Sequence, residues 1–161
     1  MENVAIRPIQ PSDNKHIARI IREVLTEFKA NKPGTAYFDA SLDELHSVFI
    51  VPDAAYWVLE QDGDIIGGAG IYPTDGLPSH YCELVKLYLL PAARGKGLGK
   101  QLIQQCFDAA RQYGFTHLYL ETMPELTSAI PLYEKMGFIY LQQALGASGH
   151  FGCSVWMLKE L

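Results

Sequence analysis

The residues best suited to chemistry lie in one short segment that is rich in glycine and in positive charge. It runs from Arg94 to Lys100 with the sequence Arg-Gly-Lys-Gly-Leu-Gly-Lys, after a strand-like run and before a long amphipathic pattern. Glycine lets the backbone approach a ligand, and the first N–H groups of a helix attract negative charge. The segment therefore predicts an anion-binding turn formed by Arg94, Gly95, Lys96, Gly97, Leu98, Gly99 and Lys100.

Two other phosphate-binding patterns do not fit this segment. A Walker loop needs a Ser or Thr directly after its Gly-Lys pair, and neither residue follows a Gly-Lys pair here. The glycines also lack the G-x-G-x-x-G spacing of dinucleotide-binding folds. The alternative is an ordinary helix start with a solvated run of charge, and the regular spacing of glycines and cations argues against it.

A carboxylate among aliphatic residues is the second chemical candidate. Strand alternation places Glu83 on one face of a predicted strand together with Val85, Leu87 and Leu89. A buried carboxylate is costly unless it is paired or used. The alternatives to a chemical role are a salt bridge with Lys86 or another cation, and a position in solvent at the end of the strand.

A second segment, together with the glycine-rich one, indicates a resemblance to a protein family. The residues from Ala129 to Phe138 read Ala-Ile-Pro-Leu-Tyr-Glu-Lys-Met-Gly-Phe. This run is similar to the A-x-x-L-Y-x-x-x-G-F segment of the GNAT superfamily of acyl-CoA-dependent N-acetyltransferases. The run from Arg94 to Gly99 resembles the R-x-x-G-x-G pyrophosphate motif of the same family. Both segments stand where that family has them, and the order of strands and helices also agrees from end to end.

The resemblance implies a fold and a cosubstrate. The fold class is α/β (α+β) of the GNAT type, with a mixed central sheet of about seven strands flanked by about four helices. The cosubstrate is acetyl-CoA, with its pyrophosphate on the glycine-rich turn. Its pantetheine arm would run beside Leu87, Tyr88 and Leu89.

The resemblance also implies catalytic roles for two residues. Tyr133 would lie beside the cofactor sulfur and protonate the departing thiolate, although a lone Tyr on a helix is otherwise more often a core aromatic. Glu83 would take a proton from the amine, directly or through water. Glu121 is a weaker candidate for the same role.

A few positions need separate comment. Many family members carry an Asn three residues before the alanine of the second segment, where it contacts the cofactor arm, and Leu126 occupies that position here. Pro131 falls inside a predicted helix and is best tolerated if Ser128 is the N-cap, because its missing N–H then belongs to the unpaired first turn. His150 lies in a loop that shapes the acceptor site in the family, and surface polarity alone also explains it.

Hydrophobic periodicity predicts the strands that position these residues. Apolar runs predict strands at 4–6, 56–59, 65–72, 81–90, 117–121, 138–141 and 153–158. The pair Asp62-Gly63 predicts a tight turn between the second and third of them. These two strands should therefore be antiparallel.

Helical spacing predicts four helices between the strands. Ser12 or Asp13 can cap the first helix, which should end near Pro33. A capping box from Ser41 to Glu44 predicts a short second helix that continues to Phe49. The third and fourth helices are predicted at 98–113 and 128–136, with Gly114 as the C-terminal cap of the third.

Composition and charge bound the function. A chain of 161 residues with 48% hydrophobic residues predicts a single domain over 1–161 that buries roughly two-thirds of its unfolded surface. A formal net charge of −5 argues against nucleic acid as a partner, and the apolar runs are too short to span a membrane. The wide spacing of Cys82, Cys106 and Cys153 predicts no metal site and a cytoplasmic protein. The sequence leaves open whether the protein forms a homodimer.

The predicted function is the transfer of an acetyl group from acetyl-CoA to an amine of a small molecule or peptide. The amine attacks directly, without a covalent enzyme intermediate and without a metal. Two rivals stay open: a non-catalytic acyl-CoA-binding or regulatory module with the same fold, and an unrelated nucleotide-phosphate binder. Release of free thiol in the presence of amines distinguishes the enzyme from the first rival. Affinity for ATP or NAD equal to that for CoA would favour the second.

Overall fold

A computed structural model describes residues 3–161, which form seven strands and four α-helices. The strands are β1 (Val4–Pro8), β2 (Ala55–Gln61), β3 (Asp64–Tyr72), β4 (Tyr81–Leu89), β5 (His117–Thr122), β6 (Ile139–Leu141) and β7 (Val155–Glu160). The helices are α1 (Asn14–Glu27), α2 (Leu45–Val48), α3 (Leu98–Gln112) and α4 (Ala129–Lys135). The predicted element order and the mixed α/β class are confirmed.

One sheet contains all seven strands in the order β1-β2-β3-β4-β5-β7-β6. The β4–β5 pair is parallel and the other neighbouring pairs are antiparallel. The predicted hairpin joins β2 to β3, with Asp62 and Gly63 both at positive φ, as its tight turn requires. The sheet therefore includes strands from near both ends of the chain. Its two parts, β1–β4 and β5–β7, meet at the β4–β5 pair.

The parallel β4–β5 ladder is short. It pairs Tyr81 with His117, Cys82 with Leu118 and Glu83 with Tyr119. Beyond Glu83, β4 continues to Leu89 and β5 continues to Thr122 without further pairing between them. The two strands therefore form a wedge that opens from the level of Glu83 towards the start of α3.

A β-bulge interrupts β4 next to this wedge. On β3, Gly68 pairs with Tyr88 and Gly70 pairs with Val85, so two steps on β3 oppose three steps on β4. The extra residue is Lys86, whose φ of 52° lies in the left-handed region. The hydroxyl of Tyr56, on β2 beyond the intervening β3, donates a 2.8 Å hydrogen bond to the Lys86 carbonyl and so holds the bulge.

The bulge overturns one sequence prediction. Leu87 and Leu89 pack with the cluster under α3, whereas Val85 and Tyr88 pack with the cluster under α1. The prediction that Glu83, Val85, Leu87 and Leu89 share one face is therefore wrong. The residue inserted at Lys86 shifts the alternation and sends the later leucines to the opposite face.

Two hydrophobic clusters cover the two faces of the sheet. Apolar residues at helical spacing on α3 are fully or nearly fully buried on one face, among them Leu102, Ile103, Cys106 and Phe107. The stripe on α1 is buried on the other face and includes Ile17, Ile20, Ile21 and Leu25. Burial of this much apolar surface fixes both helices, so their ends are firm supports for a site.

The first helices differ from the sequence predictions. Helix α1 ends at Glu27, well before Pro33, and the connection beyond it forms 3₁₀ turns at Ala36–Phe38 and Leu42–Glu44. Ser41 makes no side-chain capping hydrogen bond, and α2 is a single turn. The predicted capping box is therefore wrong, because the 3₁₀ turn takes the place of the first helical turn. The bounds of the other elements differ from the predictions by a few residues.

At the start of α1, Asp13 is buried and accepts hydrogen bonds from Arg7 at 2.8 and 3.0 Å and from the Gln10 N–H at 2.8 Å. Gly114, at a φ of 88°, follows the end of α3 as predicted. Within residues 3–161, no helix combines the length and the apolar character that crossing a bilayer requires.

Candidate active site

A cavity of about 500 Å³ lies at the N-terminal end of α3, and we call it the α3 cleft. Its walls are the end of β4 from Leu87 to Leu89, the turn at 93–100 and the face of α4 around Leu132. The predicted residues Arg94, Gly95, Gly97, Leu98, Gly99 and Lys100 line it, and Lys96 lies in the turn between two of the lining glycines. The contiguous segment singled out in the sequence thus forms one wall of a cavity.

Glycine is required in this turn for two physical reasons. Gly95 and Gly97 have φ values of 75° and 78°, a conformation that strains any other residue. Gly99 is a close-approach position, because a Cβ there would lie 2.7 Å from Leu132 Cδ2 and 3.2 Å from Leu89 Cδ1. The sequence therefore brings bare backbone to the mouth of the cleft.

Helix α3 presents its unpaired N–H groups at this point. Its first hydrogen bond runs from the Gln101 N–H to the Gly97 carbonyl at 3.2 Å. The N–H groups of Leu98, Gly99 and Lys100 precede it and have no partner within the helix. The positive end of the helix dipole adds to them, so this is a favourable place for an anion.

Arg94 is fixed by its own contacts. Its guanidinium donates to both carboxylate oxygens of Glu27 at 2.7 and 2.8 Å and to the Leu89 carbonyl at 2.9 and 3.2 Å. It also lies 4.9 Å from the centre of the Phe28 ring. The Arg94 hydrogen bonds lower the pKa of Glu27, so the pair stays charged and ties the end of α1 to the end of β4.

Alternate residues of β4 direct their backbone N–H and C=O groups towards the wedge. Leu90 donates to the Ile66 carbonyl on the β3 side at 2.9 Å. In an antiparallel ladder the neighbouring residue points the other way, so the N–H of Leu89 and, two residues earlier, the polar groups of Leu87 face the open wedge, whereas the Leu89 carbonyl already accepts from Arg94. These groups offer a strand edge to an extended ligand.

A second cavity of about 360 Å³ lies on the α1 side of the sheet. Three connections surround it, at 39–41 with 48–49, at 72–75 and at 147–150, and β4 supplies its floor with Glu83, Val85 and Lys86. We call it the three-loop cavity. None of its walls comes from the glycine-rich segment, so apart from β4 the α3 cleft and the three-loop cavity are built from different parts of the chain.

Glu83 is the titrating group of this floor. It is 3% exposed, and the Thr74 hydroxyl donates to its Oε1 at 2.7 Å. Burial raises its pKa from 4.5 to about 7, with Thr74 lowering it and nearby Glu121 raising it further. A carboxyl with such a pKa can accept and return a proton near neutral pH.

Asp39 joins two basic groups in the three-loop cavity. Its carboxylate lies 2.8 Å from the Lys86 ammonium and 2.9 Å from Nε2 of His150, which is 111 residues away in sequence. Burial alone would raise the pKa of Asp39, but the His150 hydrogen bond and the Lys86 charge outweigh it and hold the pKa below its usual value. Sequence reasoning missed Asp39, because its partners come from distant segments.

A small cavity of about 40 Å³, the wedge cavity, lies where β4 and β5 separate. It shares Tyr88 and Leu126 with the α3 cleft, and it shares Glu83 and His150 with the three-loop cavity. The α3 cleft and the three-loop cavity therefore both adjoin the wedge cavity, with Glu83 at the junction.

Comparison with known proteins decides the family. A profile of the Acetyltransferase (GNAT) family matches residues 17–138. The chain belongs to this family. An uncharacterized N-acetyltransferase of Escherichia coli K12, YjgM, is 46% identical over the full length of both chains.

Solved structures agree with this GNAT acetyltransferase in fold. An acetyltransferase of the GNAT family from Staphylococcus aureus Mu50 superposes with a TM-score of 0.87 at 15% identity, covering 98% of this chain and 99% of that chain. The PaiA N-acetyltransferase from Thermoplasma acidophilum, solved in complex with coenzyme A, superposes with a TM-score of 0.74 at 18% identity and covers 99% of both chains. The predicted fold and enzyme class are confirmed, and the chain is an acyltransferase.

Tyr133 of the acetyltransferase is buried in α4 beside the α3 cleft. It follows Leu132, which lines the cleft, and its ring packs edge-on against Phe138 at 5.8 Å. Burial, with smaller effects from the thiols of Cys106 and Cys153, raises the pKa of its phenol far above neutrality. Tyr133 thus carries its proton at neutral pH, although the raised pKa makes its phenol a weaker acid than an exposed tyrosine.

The departures noted in the sequence have clear surroundings. Ser128 is the N-cap of α4, which leaves Pro131 in the first turn, where its missing N–H is tolerated as predicted. Leu126 lines both the α3 cleft and the wedge cavity with its apolar side chain. Contact with a ligand there would be by packing rather than by an amide hydrogen bond.

Glu121 is held by two hydroxyl groups. Tyr119 donates to its Oε2 at 2.6 Å and Ser148 donates to its Oε1, while the Leu145 N–H donates to Tyr119 at 3.0 Å. Both carboxylate oxygens are therefore engaged in anchoring the loop before β7. This arrangement favours Glu83 over Glu121 as the group that exchanges protons.

Thr122 is a further residue that the sequence did not single out. It lines the wedge cavity and is 2% exposed, and its hydroxyl oxygen is buried without a hydrogen-bond partner in the described part of the chain. A buried hydroxyl without a partner is costly, so it is a candidate contact for a ligand. The only sequence signal was its place at the end of β5.

Proposed function

We propose that this GNAT acetyltransferase binds acetyl-CoA in the α3 cleft and transfers the acetyl group directly to an amine in the three-loop cavity. The observation that carries the proposal is the meeting of the two cavities at the wedge, with Glu83 at the junction. The coenzyme A bound by the Thermoplasma acidophilum relative supports the choice of donor.

The donor is held mainly by backbone. The pyrophosphate accepts hydrogen bonds from the N–H groups of the turn, and the pantetheine arm runs along the open edge of β4 as an added strand would. Lys96 and Lys100 add charge, whereas Arg94 shapes the turn through its pair with Glu27. The donor-binding residues are Leu87, Tyr88, Leu89, Arg94, Gly95, Lys96, Gly97, Leu98, Gly99 and Lys100.

The acceptor needs to lose one proton before it can attack. Glu83, with a pKa of about 7, takes that proton from the ammonium group directly or through water in the wedge cavity. The neutral amine nitrogen then forms a bond to the thioester carbonyl carbon, and the carbonyl electrons move to oxygen. Backbone N–H groups of the Leu87 to Leu89 edge stabilise this oxyanion.

Collapse of the tetrahedral intermediate breaks the carbon–sulfur bond. Tyr133 gives its phenolic proton to the departing thiolate, and water takes the second nitrogen proton as the amide forms. Glu83 then releases its proton to solvent, and Tyr133 regains one from solvent. The products are the N-acetylated acceptor and CoA with a free thiol. Each proton has a named donor or acceptor, so neither a covalent acetyl-enzyme nor a metal enters the sequence of steps.

A turnover assay tests this function. Purified protein is incubated with acetyl-CoA and a panel of alkyl amines, aryl amines, polyamines, amino acids and peptides, and free thiol is measured against a reaction without amine. We expect amine-dependent thiol release and an N-acetylated product of the expected mass. Binding of acetyl-CoA without thiol release from any amine would support the non-catalytic acyl-CoA-binding module instead.

Three further assignments belong to the same proposal. We treat residues 1–161 as one acetyltransferase domain, because one sheet includes strands from both ends of the chain. A cytoplasmic location and a homodimer stay predictions. Fractionation of cells and sedimentation of the purified protein test them.

A further inference from the structure

The charges of the three-loop cavity are unevenly compensated. Its lining includes the carboxylates of Asp39, Asp75 and Glu83 and the ammonium of Lys86. Lys86, with a side chain only 11% exposed, and the ring of His150 both contact the same partner, Asp39. The single negative charge of Asp39 thus offsets the charge of Lys86, and the same carboxylate is hydrogen-bonded to the ring of His150.

The remaining carboxylates have no such partner. Within residues 3–161, no ion pair joins a basic side chain to Asp75 or Glu83, whose contact with Thr74 is to a neutral hydroxyl. The electrostatic surroundings of an acceptor nitrogen are therefore negative. They favour an ammonium group and disfavour a second negative charge beside it.

One side of the wall is apolar. Val48 and Val85 line the cavity together with Phe49 and Tyr72, whose rings meet edge-on at 5.8 Å. The lining also includes three hydroxyl residues, Ser41, Thr74 and Ser148, and the hydroxyls of the last two already donate to Glu83 and Glu121. A substituent on the amine can therefore pack on aliphatic and aromatic surface. Such a wall suits a hydrocarbon or aryl group.

We propose that the acceptor is a primary amine with an apolar substituent and without a carboxylate next to the amine, and that Asp39 sets this preference by neutralising Lys86 and holding the ring of His150. The inference rests on the proposed function, because it concerns the acceptor of that reaction. A carboxylate on the α-carbon would lie beside Glu83 with no free cation to receive it. Rejection by an unpaired charge is an effective source of specificity.

Three matched acceptors separate charge from size. Phenethylamine has no α-substituent, phenylalaninamide adds a neutral group, and phenylalanine adds a carboxylate of nearly the same shape. We expect kcat/KM, corrected for the fraction of free amine, to be at least about tenfold higher for phenylalaninamide than for phenylalanine. Isoamylamine, leucinamide and leucine repeat the comparison with an aliphatic group. Equal or higher values for the two amino acids would overturn the inference.

Variants test the part played by Asp39. In Asp39→Asn the Lys86 ammonium is no longer neutralised, so the preference for the amide over the amino acid should fall toward one. In Lys86→Met the cavity becomes more negative, and the preference should rise. The control is Asp43→Asn, because Asp43 pairs with Arg22 outside the cavity, and there the preference should stay as in the wild type.

The outcomes separate the inference from the proposed function. The preference is a ratio within each variant, so a general loss of activity in Asp39→Asn does not remove the readout, and Lys86→Met supplies an independent one. Thiol release with amino acids and amides alike, unchanged in both variants, would refute the role of Asp39 and leave acetyl transfer intact. Absence of thiol release with every amine would refute the proposed function itself.

Discussion

The α3 cleft and the three-loop cavity are built in opposite ways. The anion-binding wall of the cleft is the backbone of one contiguous turn, in which glycines and a helix N-terminus provide the polar groups. The cavity is formed by side chains from three separate segments, and its central contact joins Asp39 to His150 across 111 residues. A site made from backbone leaves a local signature in the sequence, whereas a site made from distant side chains leaves none.

The largest expected effect tests whether the cleft depends on backbone conformation. Gly97→Val places a β-branched side chain at a φ of 78°, and the resulting shift of the turn should abolish CoA binding. Gly114→Val is the matched control, because Gly114 has a φ of 88° at the other end of α3 and open space around it. Both changes should cost roughly 1–3 kcal/mol of stability.

Calorimetric titration with CoA and a thermal melt of both variants measure these effects. The control should keep its affinity for CoA despite the loss of stability. Unchanged affinity in Gly97→Val would remove the turn from the donor site, and the contrast between the two regions would no longer hold.

Tyr133→Phe tests whether a buried side chain beside the cleft has a chemical role. Loss of the proton donor should lower kcat by roughly 10²–10⁴-fold, while CoA affinity and the melting temperature stay near wild-type values. Tyr113→Phe, at the exposed end of α3, is the control and should leave kcat unchanged. If Tyr133→Phe keeps full activity with every accepted amine, solvent is the source of the proton.

Glu83→Gln tests the junction between the two regions. In the wild type, kcat/KM should rise with pH through about 7 as Glu83 ionises, and the variant should lose this rise together with most activity. Glu23→Gln, on the exposed surface of α1, should keep the wild-type profile. A variant that retains the rise would assign it to another group.

The same group also links stability to pH. Because folding raises the pKa of Glu83 from 4.5 to about 7, its contribution is complete below pH 4.5 and is lost as the pH rises to 7. The loss amounts to roughly 3 kcal/mol, and Glu83→Gln should not show it. Denaturant unfolding at pH 5 and pH 8 gives the free energy of unfolding of each protein at both pH values. An equal change between the two pH values in the wild type and in Glu83→Gln would contradict the prediction.

Thr122→Val gives the smallest expected effect and separates packing from ligand contact. The hydroxyl is buried without a partner, so the nearly isosteric valine should raise stability by about 1 kcal/mol. We expect kcat to fall by less than about tenfold, because the hydroxyl lines the wedge cavity without exchanging the proton. Thr116→Val, which removes a hydroxyl bonded to the His80 carbonyl and to His117, should instead destabilise the protein.

The parts of the molecule that sequence predicted well are those with local causes. The turn from Arg94 to Lys100, the hairpin at Asp62 and the amphipathic face of α3 depend on residues close together in the chain. The bulge at Lys86 was missed because it depends on β3. The need for glycine at position 70 is a second example of a distant cause. A Cβ at Gly70 on β3 would lie 2.5 Å from the Ala55 carbonyl oxygen on β2, and this contact exists only once the strands pair.

In the candidate site, too, features with local causes could be predicted and features that depend on distant residues could not. Glu83 could be proposed from a carboxylate among aliphatic residues, but its pKa depends on Thr74 and Glu121 and on burial by loops. Asp39 carried no signal, since its two partners are brought to it only by the folded loops. Ser41 gave a misleading signal, because a capping-box sequence is a local preference that the 3₁₀ turn overrides.

The short ladder between β4 and β5 has a mechanical consequence. Three residue pairs and the adjoining Thr116 N–H bond to the His80 carbonyl join the half-sheet β1–β4 to the half-sheet β5–β7, and Glu83 belongs to the last of these pairs. A pantetheine arm bound along β4 would add hydrogen bonds that the open end of this junction lacks, so the donor would support the sheet as well as react. Bound donor should therefore slow hydrogen exchange of the β4 and β5 amides at the open end of the junction.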